Sequence, residues 1–107
     1  IFVIFQPHTY SRTKALFKDF AKAFSQADKV VVTDIYASAR EKEDLGVSGK
    51  LLAEETHRYQ PEATYKKGES ETIGYLKEES RPKDIIITVG AGDIFQWHKN
   101  ILKSLKS

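Results

Sequence analysis

Apolar residues gather in four short runs, and helical patterns separate them. Residues 1–5 (Ile-Phe-Val-Ile-Phe) are apolar at every position, the composition of a central parallel strand covered on both faces. Pro7 disfavours the helical region for Gln6 and fixes a turn there. A helical pattern opens at about Tyr10. Leu16, Phe20 and Phe24 recur along it with Phe17 and Ala21 beside them, while Lys14, Lys18, Asp19 and Lys22 take the other side. Residues 29–36 read as a second strand that turns polar towards its end. The stretch 37–47, with its charged run Arg40-Glu-Lys-Glu-Asp44, is too long for a plain connector. Ser48 is placed to cap the next helix, whose apolar positions are Leu51, Leu52 and Tyr59 and which Pro61 ends.

Residues 63–67 form a short, polar third strand, the composition of a sheet edge. Residues 70–80 make a modest helix on Ile73 and Leu76, weakened by Gly74. Residues 84–89 (Asp-Ile-Ile-Ile-Thr-Val) are the fourth strand, rich in β-branched residues and expected to be buried on both faces. Gly90-Ala-Gly-Asp93 turns into a last helix with Ile94, Trp97, Ile101 and Leu105 along one side. In that turn Asp93 is expected to cap the helix and Gln96 to reciprocate.

Strands alternating with helices imply an α/β fold: an open, mainly parallel, Rossmann-like sheet, β-α-β-α-β-α-β-α, with helices on both faces. Apolar strands belong at the centre and the polar third strand at an edge, which the order 3-2-1-4 satisfies. That order leaves the fourth strand at an edge unsuited to its composition, so a further strand from outside these residues is expected to cover it. Strand order reverses between the first and fourth strands. Residues 8–12 therefore face residues 90–93 across the crevice where open α/β sheets bind ligands.

Composition narrows the function classes. A length of 107 residues corresponds to one domain, residues 1–107. Basic residues number 17 against 15 acidic, a net of +2, and Lys and Glu interleave in 66–71 and 77–84. That is the pattern of a solvated face, not of a nucleic-acid stripe. No apolar run is long enough for a membrane span, and no secretory signal pattern is seen, so the cytoplasm is the expected compartment. With no Cys, disulfides are excluded; the chain also has no Met and begins inside a strand. It is therefore expected to be a piece of a longer polypeptide, with part of any active site outside it.

The polar groups concentrate where the first strand ends. Arg12 lies in the first helical turn, where unpaired N–H groups already favour an anion, and its guanidinium adds a fork matched to a carboxylate or phosphate. The alternative is a surface Arg paired with an acidic neighbour. His8 sits in the crevice and either serves a ligand or satisfies turn backbone. His57 and His98 lie within helices without partner carboxylates at ligand spacing and are expected at the surface, so no metal cluster is indicated. The run Gly90-Ala91-Gly92-Asp93 fails the dinucleotide fingerprint, because Phe95 stands where the third Gly belongs. It remains as the second wall of the site. No phosphate loop and no nucleophile–base pair at recognisable spacing is present. The residues alone describe a binding surface for a small anionic ligand, not a complete catalytic machine.

Residues 5–13, Phe-Gln-Pro-His-Thr-Tyr-Ser-Arg-Thr, closely resemble the F-Q-P-H-R-Y-[ST]-R-T motif of the UDP-N-acetylmuramate–L-alanine ligase family, ATP-dependent Mur ligases of peptidoglycan synthesis. Three further stretches agree in order and spacing: Phe20 to Asp28; Asp34-Ile-Tyr36 with Arg40-Glu41 and Gly46-Val-Ser48; and Gly90-Ala-Gly-Asp93. The resemblance implies the C-terminal domain of a three-domain enzyme. An N-terminal domain would hold UDP-N-acetylmuramate, and a central domain would bind ATP and Mg²⁺. On that pattern Arg12 would hold the L-alanine carboxylate and His8 and Tyr10 would shape its pocket. Thr9, Tyr36, Gly90, Gly92 and Asp93 would border the closed site. Thr9 stands where the family more often has Arg, which leaves an anion more dependent on Arg12. The family's upstream D-D-Y-G-H-H-P segment, phosphate loop and carbamylated lysine are absent from this sequence. The fragment is therefore expected to bind neither ATP nor metal and not to ligate alone. Two rivals remain open: the sister ligase that attaches a tripeptide to the same UDP-sugar, and a free-standing module that binds a small anion.

Overall fold

In the computed structural model, which describes residues 1–37 and 44–106, the first apolar run becomes the centre of a four-stranded parallel sheet. β1 (Phe2–Phe5) pairs with β2 (Lys29–Val32) on one side and with β4 (Ile86–Val89) on the other; β3 (Ala63–Tyr65) pairs with β2. The order is β3-β2-β1-β4, as the sequence pattern predicts. Phe5 stands beside both Val32 and Val89, so the three central strand ends finish level and open onto one rim.

Strand alternation divides the core in two. Val3, Phe5, Val30 and Val32 point to one face, where α2 (Phe17–Ala23) and α3 (Gly49–His57) supply Ala21, Leu52 and Ala53. Phe2, Ile4 and Val31 point to the other, where α4 (Glu69–Glu79) and α5 (Trp97–Leu105) supply Leu76, Trp97 and Ile101. Burying each such aliphatic side chain stabilises the fold by about 1.5–3 kcal/mol before chain entropy is counted. The ring of Phe5 lies 5.1 Å from those of both Phe20 and Phe24.

Several local expectations are corrected. The first helical pattern is two helices, α1 (Tyr10–Ala15) and α2, with Leu16 as the end of one and the start of the other. The break turns Leu16 outward, to 38% exposure, because only Thr13 is buried along α1 and no apolar stripe holds that segment to the sheet. In α3 the inward residues are Leu52, Ala53 and Thr56, whereas Leu51 and Tyr59 are exposed. A small-residue face lets α3 approach the end of β2: a Cβ at Gly49 would stand 2.0 Å from the Thr33 carbonyl oxygen. Ser48 does cap this helix, accepting from the Leu51 N–H at 3.0 Å. β2 stops at Val32, four residues short of the expected end at Tyr36.

β4 departs most from expectation. Ile85 is 58% and Ile87 43% exposed, because the strand has a neighbour on one side only among the described residues. His57 and His98 are exposed, as expected; the His98 Nε2 meets the Thr88 hydroxyl. Among the described residues no helix is long and apolar enough to cross a membrane.

Candidate functional site

The sheet does not end cleanly at Phe5. The Gln6 N–H donates to the Val89 carbonyl at 2.9 Å, and the Thr33 N–H donates to the Phe5 carbonyl at 3.0 Å. Beyond Pro7 the pairing returns: the Tyr36 N–H donates to the Pro7 carbonyl at 2.8 Å and the Thr9 N–H to the Tyr36 carbonyl at 2.9 Å. These bonds make a single parallel bridge between His8 and Tyr36. The two rings stack, with centroids 5.9 Å apart and planes 16° from parallel. Tyr36 therefore joins the corner through backbone pairing, although it lies beyond the strand that was expected to carry it.

Thr9 holds the turn in a conformation normally left to glycine, with φ 62° and ψ 147°. Such backbone costs about 1–3 kcal/mol and persists only where the surroundings fix it. Here they do. Besides the bond to Tyr36, Thr9 Oγ1 accepts from the Arg12 N–H at 3.2 Å, and the Thr9 carbonyl accepts from the Thr13 hydroxyl at 2.7 Å and the Thr13 N–H at 3.2 Å. Thr9 is thus the cap of α1 as well as a border of the corner, a role the sequence pattern did not reveal.

The opposite wall is tied in by Gln6, which sequence reasoning passed over. Its side chain is buried; Nε2 donates to Asp93 Oδ1 at 2.7 Å and Oε1 accepts from the Ile94 N–H at 3.2 Å. Asp93 consequently does not cap the helix. Gly92 occupies the cap position without a side-chain bond, Gln96 is exposed, and the chain enters α5 through a 3₁₀ turn at Asp93–Gln96. The buried Gln6 amide needs both an acceptor for its N–H and a donor for its oxygen; the Asp93 carboxylate supplies the first and the Ile94 N–H the second. Gly92 is sandwiched: a Cβ there would lie 2.5 Å from Tyr36 Cγ and 2.8 Å from Gln6 Oε1. At Gly90 a Cβ would lie 3.0 Å from the Gln6 carbonyl oxygen. The one signal available in the sequence was an amide placed between an apolar strand and a proline.

His8, Thr9, Tyr36, Gly92 and Asp93 are thereby brought into one corner with Gly90 at its root. His8 Nδ1 is buried and has no hydrogen-bond partner among the described residues, so the ring does not satisfy turn backbone through that atom. Tyr10 is half-buried at the start of α1, and Arg12 is exposed in its first turn. No ion pair involves Arg12 among the described residues. The helix whose pole was expected to reinforce it is short, six residues, and adds little to the charge of the guanidinium itself. Arg40 and Glu41, also singled out by sequence, lie outside the described residues.

Nearby, the Tyr65 hydroxyl donates to Asp34 Oδ1 on the segment leading to Tyr36. Burial, and then this hydrogen bond to a carboxylate, push the Tyr65 phenol up to about 12. Among the described residues no group of three His, Asp or Glu side chains is placed to hold a metal ion. The corner is open: Tyr36 is 42% exposed and Arg12 reaches solvent.

No known family profile matches the chain. Individual proteins do. It is 45% identical over 103 residues to the UDP-N-acetylmuramate–L-alanine ligase of Acetivibrio thermocellus, an alignment covering 96% of this chain and 22% of that enzyme. The enzyme of the same name from Caldanaerobacter subterraneus subsp. tengcongensis is 45% identical over 106 residues, 99% of this chain and 23% of its own length. That of Lachnospira eligens is 46% identical over 103 residues, 96% and 22%. Nearly the whole chain is therefore homologous to a part of these ligases, and it spans less than a quarter of the length of these curated relatives.

Proposed function

We propose, from this homology to one part of the UDP-N-acetylmuramate–L-alanine ligases, that residues 1–107 form the C-terminal, amino-acid-binding domain of such an ATP-dependent enzyme of peptidoglycan synthesis. The observation that carries the reading is that the similarity extends over 96–99% of the chain while the motif around His8 and the turn around Gly92 fold into one corner. The exposed apolar edge of β4 supports a parent chain that adds a further strand there.

In this reading the Arg12 guanidinium grips the carboxylate of L-alanine through a two-pronged, charge-assisted contact. His8 and Tyr10 shape the pocket; Thr9, Tyr36, Gly90, Gly92 and Asp93 border it. The amine must attack the activated lactyl carboxyl of UDP-N-acetylmuramate, forming the amide as phosphate leaves. A domain that fixes the carboxylate end of the amino acid orients that amine, and orientation supplies a large share of such a rate. Because the corner is open, water is excluded only when this domain closes on the rest of the enzyme.

The sequence carries no phosphate loop, so ATP and its Mg²⁺ are not proposed as ligands of these residues alone. Both are assigned to the central domain of the parent chain and UDP-N-acetylmuramate to its N-terminal domain. This domain contributes binding and closure, and the cytoplasm, where ATP is supplied, is its proposed compartment. The relatives' name favours L-alanine over a tripeptide. The test is ATP-dependent joining to UDP-N-acetylmuramate by the full-length parent enzyme. Product with L-alanine and little with the tripeptide is expected; the reverse preference, or no joining of either, contradicts the reading.

A further inference from the structure

We propose that Gln6 is a positioning residue for the amino-acid site, acting through its hydrogen bond to Asp93 to set the Tyr36–His8 platform. The inference rests on the reading that this corner holds the amino acid. Gln6 is buried, away from the open face. Its amide joins two loops that meet only where strand order reverses: it leaves the end of β1 and spans to the turn after β4, with both ends satisfied. The chain of contacts then runs outward. Gln6 Oε1 and the Tyr36 ring both crowd the place a Cβ of Gly92 would take, at 2.8 and 2.5 Å from it, and His8 stacks on Tyr36. No room for even a Cβ is left at Gly92 between the amide and the ring, so a shift of the turn is passed to the ring, and a shift of the ring to the imidazole stacked on it. The Pro7–Tyr36 and Thr9–Tyr36 backbone bonds fix where Tyr36 is rooted but not where its ring rests. The ring's seat is Gly92, and the seat of Gly92 is the Gln6 amide.

Only the Nε2 end of the amide is at risk from a simple charge change. Gln6→Glu retains an acceptor for the Ile94 N–H but sets a carboxylate against Asp93. Adding Asp93→Asn restores the bond with its direction reversed, the asparagine amide donating to the glutamate. In the full-length ligase, Gln6→Glu is expected to raise the L-alanine KM about tenfold or more, with the ATP KM and kcat within about twofold of the parent. The double variant is expected to return the L-alanine KM to within about threefold. A purely structural role would lower the folded fraction, and so kcat, at unchanged KM.

If Gln6→Glu fails to fold, Gln6→Met, which fills the space without either hydrogen bond, must raise the L-alanine KM in its place. An unchanged L-alanine KM in the variant that folds overturns the role, as does a raised KM that Asp93→Asn does not reverse. Arg12→Ala, assayed beside them, separates the two levels. If it raises the L-alanine KM and the Gln6 variants do not, the positioning role alone falls. If it leaves that KM unchanged, the amino-acid reading of the corner falls and this role with it.

Discussion

Gly92 and Tyr36 are packed so closely that no side chain fits between them: a Cβ at position 92 would stand 2.5 Å from Tyr36 Cγ. The turn after β4 and the segment after β2 thus meet without an intervening residue, although they are far apart in the chain. Gly92→Ala must push the ring away or shift the turn off Gln6. A loss of about 1–3 kcal/mol of stability is expected from such overpacking. Chemical denaturation of the 107-residue chain checks this, and a parent-like midpoint contradicts the packing described.

Two other glycines predict opposite signs. Gly49 sits in the first turn of α3 with the Thr33 carbonyl where a Cβ would go, so Gly49→Ala is expected to cost about 3 kcal/mol or more, the upper end of overpacking losses. Gly74 lies exposed inside α4 with nothing within 4 Å of its missing Cβ. Gly74→Ala is expected to stabilise the chain by about 0.5–1 kcal/mol, through helix propensity and a less flexible unfolded state. Thermal unfolding of the pair, side by side, reads both.

The contrast also shows what the sequence could convey. Alternation and polarity were enough for the strand order, because a fully apolar strand, a polar edge and parallel crossovers admit few arrangements. The two faces of the core followed from the same alternation: Val3 and Phe5 one way, Phe2 and Ile4 the other. Local periodicity misled where backbone approach set the packing. Leu51 and Tyr59 are among the apolar positions of the helical pattern, yet they are exposed and α3 faces the sheet with Gly49, Leu52, Ala53 and Thr56. At the site, residue types pointed to His8, Arg12 and the glycine turn. The Gln6–Asp93 bond and the backbone bridge to Tyr36 are long-range pairings with no local signature.

The strained turn at Thr9 yields a second contrast. Thr9→Gly relieves a positive φ but removes the capping oxygen, and a Gly cap loses only a few tenths of a kcal/mol. Thr9→Ala removes the same oxygen and keeps the strain. The glycine variant is expected to be the more stable of the two by about 1–2 kcal/mol, after allowing for the greater freedom of glycine when unfolded. Equal midpoints in urea, or a more stable alanine variant, would contradict the backbone geometry.

Alkaline pH tests the contact beneath the site. The Tyr65 phenol is raised from 10.0 to about 12, chiefly by burial and then by its bond to Asp34. A group whose pKa is higher in the folded state contributes its stability below the unfolded value. That contribution is lost as pH rises from about 10 through about 12. Ultraviolet titration is expected to show a step near 12 that is lost in Tyr65→Phe, beside that of Tyr75, which burial also raises. The same variant should show a shallower fall of stability over this window. The absence of any step near 12 that Tyr65→Phe removes would refute the Tyr65–Asp34 bond.

Steady-state kinetics of the full-length enzyme read the role of Arg12 in holding the amino acid. Loss of a charge-assisted contact of about 1.5–3 kcal/mol predicts that Arg12→Ala raises the L-alanine KM by roughly 10- to 100-fold. Arg12→Lys, which keeps the charge but not the planar fork, should fall between. The KM values for ATP and UDP-N-acetylmuramate should stay within about twofold of the parent. An L-alanine KM and turnover unchanged in Arg12→Ala would contradict the account.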